Sequence, residues 1–328
     1  MRPAGEQGEE RARHFRESLA RALGPAVMRA LAEPDVNEIY VNPDGRLFLD
    51  TRSGGRVAAG VELGAEQVQR FLNLVASSIP SVINPGRPQL QAELPAAGFR
   101  GARLQGFVWP LAAGPSFNLR KPPTAIYSLA SYVEGGAMTA GQLAVLEGAI
   151  GTRRNILVAG GTASGKTTLV NALLLGITTR FPTERIVILE DTVELQCAAR
   201  DHLALRTTDG VKLKDLVKAA LRTCPDRIVV GEVRDEAALD LLDAWETGHP
   251  GGCATVHADD VLGALHRLDR LAQRNGVGPQ PYLVGSAIDL VVVIAGSSRG
   301  RRVTGLVAVE GYEGAGYRLR DLTAGGGA

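Results

Sequence analysis

The stretch Asn155-Ile156-Leu157-Val158-Ala159-Gly160-Gly161-Thr162-Ala163-Ser164-Gly165-Lys166-Thr167-Thr168 decides the fold. Its first five residues form a short apolar run of strand length, and the residues after Lys166 favour helix. Between them lies the spacing G-x-x-x-x-G-K-[ST], in the strand–loop–helix setting that such a motif requires. Glycines let the backbone curl so that several N–H groups converge next to a helix N-terminus, where partial positive charge favours phosphate oxygens. The expected ligand is ATP with Mg²⁺, cradled by Gly160, Gly161, Thr162, Ala163, Ser164, Gly165, Lys166, Thr167 and Thr168. Lys166 is expected to meet the β- and γ-phosphates, and the Thr167 hydroxyl to ligate the metal.

Working outward, the chain from Met138 onward alternates helix-sized and strand-sized blocks, the pattern of a parallel sheet with helical crossovers. Helices are expected at 140–151, 166–176, 213–222, 237–247 and 261–273. Strands are expected at 155–159, 185–190, 227–230 and 254–257, with a final β region at 290–294 and 303–319. The N-terminal half differs in texture. A helical pattern at 12–32 is interrupted by Gly24-Pro25. Short strands follow at 38–41, 47–50 and 56–58, then a helix at 65–77 and strands at 102–108 and 116–120. That half predicts a small α+β domain with a mostly antiparallel sheet. Pro122 and Pro123 rule out regular helix at the junction. The expected organisation is therefore a flexible tail (1–12), an N-terminal α+β domain (13–122), a linker (123–138), a catalytic α/β domain (139–322) and a second flexible tail (323–328).

Composition bounds the rest. The chain has 328 residues, enough for two domains, and its formal net charge of +1 gives no bulk attraction to nucleic acid. Only the basic run at 299–302 stands out, and aromatic residues are 5%, so the basic, aromatic-bearing channel of a nucleic-acid motor is not expected. Three scattered cysteines without CxxC pairing point to a reducing compartment. The N-terminus lacks the pattern of a signal peptide, and no apolar stretch approaches membrane-helix length. A cytoplasmic protein is expected.

Hydrolysis also needs carboxylates at neighbouring strand ends. Two apolar runs end that way, one at Glu190-Asp191 and the other at Gly231-Glu232. Glu232 is expected to polarise water, and Glu190 to hold the metal or serve as a second catalytic carboxylate; on sequence alone the roles are interchangeable. His257, at the end of the run 254–257, is expected to sense the γ-phosphate by hydrogen bonding. Two other readings of His257 and His249 are open: surface polarity, or a zinc site shared with Cys253, although no familiar zinc spacing is present.

In that order, GGTASGKTT, RIVILEDTVEL, LRTCPDRIVVGEVRDEA and TGHPGGCATVHAD resemble the Walker A, Asp box, Walker B and His box of the type II/type IV secretion ATPase superfamily. ELQC at 194–197, AWETGHPGG at 244–252 and GPSFNLRK at 114–121 look most like the conjugal-transfer ATPases of the TrbB type. Asp235 after Arg234 departs from that subset, where glycine is frequent. The resemblance implies a RecA-like P-loop NTPase domain preceded by a smaller mobile N-terminal domain, assembled as a homo-hexameric ring beside inner-membrane secretion or conjugation components. It implies a motor coupling ATP hydrolysis to substrate transfer or pilus assembly, without structural zinc. It also matches Arg103 and Arg120 to arginines that reach the γ-phosphate from another domain or subunit. A pilus assembly or retraction ATPase of the same superfamily, a RecA-like nucleic-acid motor and a non-hydrolysing nucleotide switch are the alternatives.

Overall fold

A computed structural model describes residues 4–51, 53–122, 126–208, 210–297, 300–314 and 316–323. The chain divides into two compact units, Met1–Thr124 and Ala125–Ala328, each described by itself.

The first unit runs α1 (Ala4–Ala32), β1 (Val36–Val41), β2 (Arg46–Thr51), β3 (Gly55–Glu62), α2 (Ala65–Ser78), β4 (Gln89–Glu93), the single turn α3 (Ala96–Phe99), β5 (Arg103–Phe107) and β6 (Ser116–Arg120). Its six strands lie in the order β3-β2-β1-β6-β5-β4, every neighbouring pair antiparallel. Leu19, Leu23, Val27 and Leu31 recur every four residues along α1 and are all buried. Together with Phe71 and Leu72 of α2 they cover the sheet residues Ile39, Leu47 and Leu119, and the Phe71 and Phe117 rings meet at 5.0 Å. Each such side chain contributes about 1.5–3 kcal/mol through its removal from water.

Gly24 carries φ 77, ψ 169 inside α1, so the helix is broken where Gly-Pro predicts a break. Gln67 Nε2 donates to Ala22 O at 2.8 Å and ties the break to α2. The buried Lys121 ammonium donates to the carbonyls of Glu33 and, at 3.5 Å, Ala30, where α1 ends. A cation there complements the negative end of the helix. One expectation needs correcting: residues 4–12 are helical, not loose. Arg13 and Glu17, one turn apart at 3.9 Å, give the helix the weak support of such surface pairs.

The second unit runs α4 (Leu129–Glu134), α5 (Ala140–Gly151), β7 (Ile156–Gly160), α6 (Lys166–Arg180), β8 (Ile186–Glu190), β9 (His202–Arg206), α7 (Leu213–Ala220), β10 (Arg227–Val230), α8 (Ala237–Glu246), β11 (Cys253–His257), α9 (Val261–Ala272), α10 (Pro281–Ala287), β12 (Leu290–Ser297), β13 (Gly300–Glu313) and β14 (Gly316–Asp321). The helix α4 falls inside the segment 123–138 expected to be a linker. Ser128 caps it, accepting from the Ser131 N–H at 3.2 Å, and Leu129 and Tyr132 are buried. A full capping box between Thr139 and Gln142 then starts α5.

The eight strands order β14-β13-β12-β7-β11-β10-β8-β9. From β12 to β9 all pairs are parallel, while β13 and β14 add antiparallel pairs at one edge. Successive side chains of a strand point to opposite faces. Accordingly Ile156, Val158, Ile186, Ile188 and Val229 pack with α4, α5 and α6. Leu157, Ala159, Val187, Leu189, Ile228 and Val230 pack with α7 to α10. Both faces are covered, which is why these strands read as unbroken apolar runs.

Candidate active site

In a parallel sheet covered on both faces, loops at the carboxyl ends of the strands form the open edge. The loop 160–165 leaves β7 at this edge and enters α6, whose residues 169–174 are all buried. Gly165, the residue before the helix, has φ 100, a left-handed conformation that glycine adopts without a Cβ penalty. Ala163 has φ 59, an unfavourable value for alanine and the kind of local strain that collects at binding loops. Gly160 is crowded: a Cβ there would lie 2.4 Å from Ile294 O and 2.4 Å from Ser164 Oγ. The Ser164 hydroxyl is buried without a hydrogen-bond partner. Lys166 Nζ folds back onto the loop and donates to the carbonyls of Gly160 and Gly161, each at 2.8 Å. Thr167 and Thr168 lie half-buried in the first turn of α6, which carries no acidic residue.

The neighbouring strands bring further groups to this edge. β11 lies between β7 and β10, and its register pairs His257 with Gly160. His257 is exposed at that strand end, beside the first glycine of the loop. Two residues on, Asp259 is the nearest group to Gly161, its Oδ1 3.8 Å from where a Cβ would stand. Glu232 follows β10. Its Oε2 accepts from Arg234 at 2.8 Å, and Arg234 also lies 3.7 Å from Asp191. The hydrogen bond to Glu232, with further attraction from Asp191 and Glu194, holds the Arg234 guanidinium above its ordinary pKa.

Glu190, at the end of β8, is buried, and its side chain lies against Gly231. Its Oε1 accepts from the N–H groups of Glu194 at 2.9 Å and Leu195 at 2.8 Å, so it fastens the turn after β8. Thr255 Oγ1 donates to Gly231 O at 2.7 Å and locks β11 to the segment carrying Glu232. The sheet thus brings the glycine loop, His257, Glu232 and Glu190 to one edge.

Two residues near these motifs serve the other end of the sheet. Arg227, fully buried, donates from Nε to Glu184 Oε2 at 2.5 Å and from a terminal nitrogen to Gly251 O at 2.9 Å, and it stacks on Phe181 at 4.7 Å. Glu184 is shared with Arg153. The His249 Nδ1 lies 3.1 Å from Pro225 O, before β11 begins. Cys253 and His257 occupy opposite ends of β11. At about 3.3 Å per residue they stand roughly 13 Å apart, too far to share a zinc ion.

In the first unit, Arg103 and Arg120 are direct cross-strand partners on β5 and β6. Glu93 pairs with Arg103 on one side and Glu38 with Arg120 on the other. The Arg120 Nε lies 3.7 Å from Glu38 Oε1. Two cations opposite each other across an antiparallel pair repel, and each has a carboxylate opposite it on the next strand.

Asp259 was not singled out by motif or spacing; its closeness to Gly161 comes from the path of the chain after β11. The acidic pair Asp259-Asp260, one residue beyond the strand, was the available signal. Asp260 is accounted for as the N-cap of α9, accepting from Gly263 N at 2.7 Å.

The arrangement of the second unit is an α/β ATPase fold. Solved structures of the Legionella pneumophila ATPase DotB (18% identity, TM-score 0.60, covering 86% of this chain and 79% of that one) and of the pilus retraction motor PilT with bound ADP (19% identity, TM-score 0.60, covering 90% and 80%) share its architecture. Residues 85–296 match the family model described as Type II/IV secretion system protein. A probable conjugal transfer protein TrbB from Sinorhizobium fredii is 43% identical over 301 residues, covering 92% of this chain and 91% of its own length. The chain belongs to the Type II/IV secretion system protein family, as its motifs lead one to expect.

Proposed function

We propose that the chain is an ATP-hydrolysing motor of a secretion or conjugation machine, with the loop Gly160–Thr168 as a P-loop and the second unit as its RecA-like engine. The observation that carries this reading is the register of the parallel sheet. It sets His257 against Gly160, and it brings Glu232, just beyond β10, to the same edge as Lys166. Family membership and the 43% identical relative, whose printed name is a conjugal transfer protein, support the cellular role.

The residues fit a nucleoside triphosphate. The loop N–H groups and the N-terminus of α6 offer an anion cradle, and the crowded Gly160 and left-handed Gly165 are positions only glycine fills without disturbance. Lys166, held on loop carbonyls, exchanges them for phosphate oxygens. Mg²⁺, where bound, would be held by the Thr167 hydroxyl and would supply neutralisation of phosphate charge. Glu232 orients and deprotonates water once its hydrogen bond to Arg234 loosens. Glu190 fixes the turn 191–195 beside it and would be the second carboxylate available to the metal. His257 reports the state of the γ-phosphate to β11. Arg103 and Arg120, by their match to the family's arginines, serve the γ-phosphate in an assembled ring at the cytoplasmic face of the inner membrane.

ATP turnover of Lys166→Ala and Glu232→Gln tests this reading. Lys166→Ala should abolish hydrolysis while the fold is kept. Glu232→Gln should bind ATP but turn over more slowly by about 10²–10⁴-fold, the range for loss of a general base. Full activity in Lys166→Ala removes the site assignment, and normal turnover in Glu232→Gln alongside a dead Glu190→Gln reverses the carboxylate roles. Strong stimulation by single-stranded DNA would favour a nucleic-acid motor instead.

A further inference from the structure

The basic run at 299–302 has no part in the function proposed above, yet the fold brings one of its arginines onto the glycine loop. β12 and β13 form a hairpin whose first strand lies beside β7. Its backbone walls one side of the loop: Ile294 O is the close neighbour of Gly160, and Gly296 lies beside Ser164 and Ala163. The second strand supplies Arg301. A Cβ on Gly165 would stand 2.7 Å from Arg301 Cδ, 3.0 Å from its Nε and 3.5 Å from its Cζ. The arginine side chain thus occupies the space that the missing Gly165 side chain leaves, at the very start of α6. Arg301 as a whole is exposed.

Electrostatically this is an unfavourable place for a cation. The N-terminus of α6 carries partial positive charge and Lys166 is the next residue; the first turn of the helix holds no acidic side chain, and Asp259 stands beside Gly161 at the other end of the loop. A helix dipole, a lysine and an arginine converge on one loop, and the arrangement becomes favourable when an anion lies among them. A guanidinium suits that task because its planar fork of donors matches phosphate oxygens.

We propose that Arg301 is a nucleotide-binding residue, delivered by the β12–β13 hairpin to the polyphosphate of a nucleotide held by the glycine loop. The proposal rests on the reading of that loop as a nucleotide site. Because the contact is made at the start of α6, it serves nucleoside diphosphates as well as triphosphates. Arg301 therefore governs affinity in both states of the cycle, whereas Glu232 governs turnover.

The test is equilibrium binding of ADP and ATP to the full chain, comparing the wild type with Arg301→Gln and Arg301→Lys. Glutamine keeps most of the aliphatic stem against Gly165 but removes the charge. Arg301→Gln should weaken ADP and ATP binding by about tenfold or more, the scale of one charge-assisted hydrogen bond. Arg301→Lys should recover part of that loss, and thermal unfolding of both variants should match the wild type. Wild-type affinity for ADP in Arg301→Gln overturns the proposal. So does a lowered unfolding temperature with affinity restored once the protein is kept folded, since that marks a packing role alone. Failure of the wild type to bind ADP, or of Lys166→Ala to weaken binding, removes the nucleotide site itself, an outcome separate from loss of the Arg301 contact.

Discussion

Replacing Gly160 with alanine places one methyl group where the structure has no room for it. The new Cβ would stand 2.4 Å from Ile294 O and 2.4 Å from Ser164 Oγ, about 1 Å inside comfortable contact. The serine hydroxyl can rotate away, but the Ile294 carbonyl is backbone in β12, held between β7 and the Val303 position of β13. Relief must come from moving either the hairpin or the loop. Overpacking of this kind costs about 1–3 kcal/mol, which for a unit of this size lowers Tm by about 2–12 °C. Gly161→Ala is the matched control, because its Cβ meets nothing nearer than Asp259 Oδ1 at 3.8 Å. Thermal unfolding followed by circular dichroism, with ADP affinity measured on the same samples, should separate the two variants. If Gly160→Ala melts with Gly161→Ala and binds ADP like the wild type, then the hairpin does not wall the loop and the reasoning fails.

Two further outcomes follow from the buried groups. Glu184→Leu leaves the fully buried Arg227 without its counter-charge and should cost about 3–5 kcal/mol in urea denaturation, whereas the double variant Glu184→Leu/Arg227→Met should regain much of that loss. Burial raises the Cys253 thiol to a pKa of about 12, so at pH 8 a thiol reagent should modify the exposed Cys224 quickly and Cys253 only after unfolding; rapid labelling of Cys253 in the folded chain would contradict its position in β11.

The parallel core was legible because burial on both faces demands uninterrupted apolar strands. β10 has the expected limits, and β7, β8 and β11 lie within a residue of theirs. Three elements outside that core escaped for local reasons. β9 is an edge strand with alternating exposure, β4 lies in a Pro- and Gly-rich stretch, and α10 begins on a proline that reads as a breaker but occupies the first helical turn. The site divides in the same way. Its loop could be read from residue types at fixed spacing, whereas the placing of His257 beside Gly160 depends on which strand the chain inserts next to β7, and local pattern does not encode that choice. Arg227 illustrates the converse. It stands just ahead of the carboxylate motif Gly231-Glu232 in the chain, yet its contacts with Glu184, Gly251 and Phe181 tie down the far end of the sheet.

The insertion of β11 between the lysine strand and the Glu232 strand has a mechanical corollary. That central strand is paired along its whole length with β7, joined to β10 at Val230 and Ala254, and sealed above and below by helices, so it behaves as a keel that does not flex alone. Whatever stroke the engine delivers must leave through its rigging of turns, such as 191–195 and 231–236, with His257 as the pin where keel and rigging meet.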